Sequence, residues 1–79
     1  MRYYFHVQDG VELLDDEGIE LSDMNAVREE AIQSSGELVT GLHGPDFWTG
    51  EPWKLWVTDL PSGGGNTLLR LTFSAKQAA

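Results

Sequence analysis

Three segments of this chain alternate so regularly that each must be a strand with one apolar face. In RYYFHV, Tyr3, Phe5 and Val7 point one way and Arg2, Tyr4 and His6 the other. In WKLWVTDL, Trp53, Leu55 and Val57 oppose Lys54, Trp56 and Thr58, and in TLLRLTF, Leu69, Leu71 and Phe73 oppose Leu68, Arg70 and Thr72. Each segment thus has one wholly apolar face and one mixed face.

One further stretch has a different period. Met24, Val27, Ala31, Leu38, Val39 and Leu42 recur at spacings of three and four, with Ser35 filling the gap. Ser22 or Asp23 can cap its start, Gly36 weakens its middle, and Gly41 or Gly44 followed by Pro45 ends it. This predicts one helix, about Asp23 to Leu42. A single helix covers only one side of a sheet. The apolar faces must take it, because each large side chain removed from water contributes about 1.5–3 kcal/mol.

The remaining segments are turns and connections. Gln8-Asp9-Gly10 ends the first strand, and Val11 to Leu14 starts a return. Asp15-Asp16-Glu17-Gly18 then interrupts the run before Ile19 and Leu21, so this second strand has an uncertain register around an acidic bulge. The cluster Asp15, Asp16, Glu17, Glu20 and Asp23 reads as solvated, because DDEGIELSD lacks the ligand spacing of a calcium loop. PSGGGN, between the last two strands, reads as a flexible hairpin loop. It is no phosphate loop, since no helix and no Lys-Ser/Thr pair follow it. The expected fold class is therefore α+β. A three- or four-stranded, mostly antiparallel sheet carries one α-helix on one face, in a single domain over residues 1–79 with a frayed tail over 74–79.

The uncovered face gathers Tyr4, His6, Lys54, Trp56, Leu68 and Arg70. Aromatic and aliphatic rings among cations mark a protein-contact surface. The competing expectation is that Phe47 and Trp48, in the loop HGPDFWTGEP, fold over Trp56. With 79 residues the chain buries only about 60–65% of its unfolded surface. It has no cysteine for a disulfide or thiolate site, so self-association through this face is the available source of extra burial.

Other classes fare worse. A net charge of −8 repels nucleic-acid phosphates and anionic membranes. The N-terminal residues lack the apolar core of a signal peptide, and no run reaches membrane-spanning length, so a cytoplasmic setting is expected. No catalytic residue, metal ligand set or cofactor motif is identified. His6, or His43 beside Asp46 and Glu51, would carry a small enzyme or metal site if there were one.

RYYFH, the DG turn, DDEGIEL and the W-x-x-x-V-x-D and L-x-F-x strands together resemble a family of small uncharacterised bacterial proteins, a domain of unknown function. Either Trp53 or Trp56 can fill its tryptophan position. The resemblance covers nearly the whole chain and implies no activity. A looser resemblance, over Arg2 to Ile32 alone, is to HicB-type antitoxins, which are acidic, dimeric and bind a basic toxin. The proline-glycine-cysteine type signal common before their helix is missing here. The functional expectation is a non-enzymatic module that binds a protein, itself or another. Its alternatives are an antitoxin-like binder of a basic partner and an enzyme or metal protein using His6 or His43.

Overall fold

A computed structural model describes residues 1–8, 12–41 and 52–74, with residues 38–41 described by their backbone alone. The elements run β1 (Arg2–Gln8), β2 (Glu12–Leu13), β3 (Ile19–Glu20), α1 (Met24–Gly41), β4 (Trp53–Thr58), a 3-10 turn (Pro61–Gly63) and β5 (Thr67–Phe73). The fold is α+β as expected.

The sheet has five strands in the order β2-β1-β4-β5, with β3 also pairing β1, and every pairing is antiparallel. The extra strand arises because the predicted second strand is split. β2 pairs Val7 with Leu13, and β3 pairs Tyr3 with Ile19. The returning chain spends two more residues between those pairs than β1 does, and Leu14 to Gly18 bulges out of the ladder.

The odd positions form the core. Phe5↔Val57↔Leu69 and Val7↔Leu55↔Leu71 line up across three strands, and Trp53 pairs with Phe73. The rings of Trp53 and Phe73 lie 4.8 Å apart. Over this face lies α1, whose Val27 and Ala31 are fully buried with Tyr3, Trp53, Leu55 and Val57.

Asp23 is the helix cap, accepting the Ala26 N–H at 2.9 Å through Oδ1. Ser35 keeps its place in the buried stripe by donating its hydroxyl to the Ala31 carbonyl, so its polar atom is satisfied without a partner from another element. Leu38 and Val39 belong to the same predicted stripe, but their side chains, like Leu42, fall outside the described set.

Candidate functional site

The mixed face has a single geometry set by register. His6, Trp56 and Arg70 stand side by side across β1, β4 and β5, flanked by the row Gln8, Lys54 and Thr72. The rings of His6 and Trp56 are 5.3 Å apart and tilted by 42°. Tyr4 pairs with Thr58, so it is a diagonal neighbour of Trp56. A register shift at Val57/Thr58 pairs Thr58 with Thr67 and leaves Leu68 out of line with the row. Register places Tyr4, His6, Lys54, Trp56 and Arg70 on one sheet face, and Leu68 at the irregularity beside it.

Their accessibility is not uniform. Lys54, Leu68 and Arg70 are exposed, Tyr4 and Trp56 are half-buried, and His6 has no exposure at all. The expectation that His6 lies on an uncovered face is therefore corrected. What covers it is the acidic connection between β2 and β3.

The covering is built from Asp15. Its backbone N–H donates to His6 Nδ1 at 3.0 Å, so that nitrogen is unprotonated and the proton sits on Nε2. Nε2 then donates to the Thr58 hydroxyl at 2.7 Å, which in turn donates to the Leu60 carbonyl at 2.6 Å. Every polar atom of the imidazole is used. Burial pushes its pKa below the ordinary value of 6.5, against the opposite pull of the Asp15 and Glu12 carboxylates.

Asp15 does more than hold the ring. Where β2 and β3 leave a gap along β1, the Phe5 N–H has lost its strand partner. Asp15 Oδ2 accepts it at 3.1 Å, standing in for the missing carbonyl. Its Oδ1 accepts from the N–H groups of Glu17 and Gly18 at 3.0 and 3.1 Å, closing a tight turn on the aspartate. The Asp15 carbonyl receives the Ser62 N–H at 2.9 Å, tying the 3-10 turn to the connection.

Burial raises the carboxyl pKa, but donation from Gly18, Phe5 and Glu17 and the nearby His6 outweigh it, so the group is held below its ordinary value. Asp15 is thus a structural acceptor rather than a solvated charge, while Asp16 and Glu17 keep exposed side chains. Gly18 completes the seat. Its φ is +74°, and a Cβ there would lie 2.8 Å from both Arg2 Cγ and the Tyr4 ring. From the other side Arg2 donates to the Glu17 carbonyl at 2.9 Å.

His43, Asp46, Glu51, Phe47 and Trp48 lie outside the described residues, and with them the expected capping of Trp56 by its loop. Among the described residues no group of three or more His, Cys, Asp or Glu side chains is placed to hold a metal ion, and no helix is long and apolar enough to cross a membrane.

The role of Asp15 was missed in the sequence, although a signal existed. An aspartate three residues before a glycine, after a short strand, is the pattern of an Asx-type turn.

The residues on which the family resemblance rests now have a structural reason to occur together. His6, Asp15 and Gly18 form one clasp. No curated protein and no solved structure matches the chain. The looser likeness to HicB-type antitoxins is not shown. A family model does match, over residues 2–74, and it spans the clasp, the helix and both strands of the closing hairpin. The chain belongs to the family described as a domain of unknown function (DUF6894).

Proposed function

We propose that this chain is a small non-enzymatic protein-interaction module whose contact surface lies on the β4–β5 side of the sheet. The observation that carries the reading is the exposure of Lys54, Leu68 and Arg70 around a half-buried Trp56, beside the strand that ends the sheet. A tryptophan and an arginine set in a partly apolar surface are the residue types that anchor protein contacts. The clasp supports the non-enzymatic part: a histidine with both nitrogens engaged and no exposure has no proton to exchange with a substrate. The partner class is protein, because a net charge of −8 opposes phosphate backbones.

The test is differential capture from native lysate. Wild type is compared with the double variant Lys54→Glu/Arg70→Glu, after both have been shown to melt alike. The reading predicts at least one stoichiometric protein, this chain itself included, retained by the wild type and lost by the variant. Identical captures from both would sink it.

A further inference from the structure

The two edges of the sheet are unlike. One is made by β2 and β3, two residues each, broken by the Leu14–Gly18 bulge and carrying Glu12, Asp15, Asp16, Glu17 and Glu20. Short strands, a bulge and charge are the features that stop an edge from pairing. The other edge is β5, seven residues with no proline, no glycine and no acid, and Arg70 as its one charge. Among the described residues β5 pairs only with β4. On the helix side the same edge borders a groove of about 440 Å³ lined by Ile32, Ser35, Gly36, Leu71 and Phe73. Ile32 is 67% exposed there.

We infer that a second copy of this chain pairs antiparallel with β5 across a two-fold axis at Leu71, and that the groove is closed by the Ile32, Leu71 and Phe73 side chains of the two copies. This rests on the reading of the chain as an interaction module and adds to the mixed face a second contact, along the β5 edge and on the helix side of the sheet. A row of backbone groups without a strand partner among the described residues selects an extended strand as the occupant. Charge selects this strand. Acids crowd the far edge, so joining two copies at β5 sets their acidic edges as far apart as the sheet allows. A head-to-tail arrangement would have to use the short, interrupted β2/β3 edge instead.

The register follows from the same groups. Keeping both helices on one side of a continuous sheet requires the axis to pass through a residue. An axis at Arg70 sets two guanidinium groups opposite each other. An axis at Leu71 sets Arg70 against Thr72, Leu69 against Phe73 and Leu71 against itself. The apolar face then continues unbroken from one copy into the next, beneath two Ile32 side chains.

The experiment combines sedimentation equilibrium of the full chain with cross-linking, which is clean because the protein has no cysteine. Ile32→Glu, at an exposed helix position, is expected to raise the dimer dissociation constant about tenfold or more, with an unchanged melt at concentrations where both proteins are monomeric. Arg70→Cys and Thr72→Cys, both at exposed sites, are expected to form a disulfide when mixed and little when either is oxidised alone, because paired positions bring Cα atoms within disulfide range. A dimer indifferent to Ile32→Glu, or one in which Arg70→Cys links to itself, overturns this edge and register while leaving the interaction reading intact. A strict monomer at high micromolar concentration overturns the second copy as partner. The lysate comparison then decides the broader reading on its own.

Discussion

The backbone N–H of Asp15 meets Nδ1 of His6 at 3.0 Å, and this contact fixes both the tautomer of the ring and the path of the chain that covers it. The strand, the bulge and the turn after β4 meet at these two residues. His6 takes one hydrogen bond from the connection and gives one to Thr58. Asp15 takes three from backbone groups and presents its own carbonyl to Ser62. A segment rich in acids is thereby held against the sheet by backbone bonding, with little apolar burial of its own.

Removing the Asp15 side-chain acceptor exposes that dependence. Asp15→Ala leaves the Phe5, Glu17 and Gly18 N–H groups to find water or nothing, and is expected to cost about 2–4 kcal/mol in urea unfolding. Asp15→Asn keeps an acceptor but loses the charge, and is expected to cost less. Equal, small losses from both would mean the turn is held by something else.

Acid should loosen the protein in two stages. The unfolded chain takes a proton on His6 below about 6.5, whereas the buried ring resists it. Stability is therefore fully present above that pH and falls as pH drops from there towards the lower folded-state value. The Asp15 contribution is present above about 3.8 and is lost as pH falls through its depressed folded value. Urea midpoints measured from pH 7.5 to 3 should hold above about 6.5 and fall in these two stages below it, and His6→Gln should flatten the upper stage only. An upper stage unchanged by His6→Gln would show that another group titrates there.

Gly18 is held to glycine by both conformation and space. Gly18→Ala forces a left-handed residue with a Cβ 2.9 Å from the Tyr3 carbonyl, and is expected to cost about 1–3 kcal/mol. Gly64→Ala, where φ is −74° and the nearest atom would be 3.4 Å away, is the matched control with a small effect. Thermal melts of the pair check the contrast.

The two faces of the sheet should respond oppositely to substitution. Leu55 is 1% exposed at the centre of the core, and Leu55→Asp is expected to abolish the cooperative transition. Arg70→Ala should change stability by no more than about 0.5 kcal/mol. Circular dichroism of both variants would reveal an inverted assignment at once.

These faces were legible in the sequence because alternation is a local property: Leu55, Leu71 and Phe5 announce their side without knowledge of their neighbours. The Asp23 cap and the β4–β5 hairpin were legible for the same reason. The burial of His6 was not. It depends on β1 lying beside β4 in the register that sets Thr58 within reach, and on a bulge whose acids suggest solvent. Asp15 differs from Asp16 only in which backbone groups surround it, and periodicity carries no record of that. The split of the second strand was anticipated as a bulge, whereas its consequence, an aspartate completing the ladder of β1, required the pairing of β2 and β3 on either side.

His6 is built into the framework, with both ring nitrogens engaged and no exposure. Long-range ¹H–¹⁵N correlation of the imidazole nitrogens across a pH series tests this directly. The expected result is a neutral ring with its proton on Nε2, an acceptor-type shift at Nδ1 from the Asp15 contact, and a titration midpoint below 6.5. A proton on Nδ1, or a ring that titrates at or above its ordinary value, would contradict it.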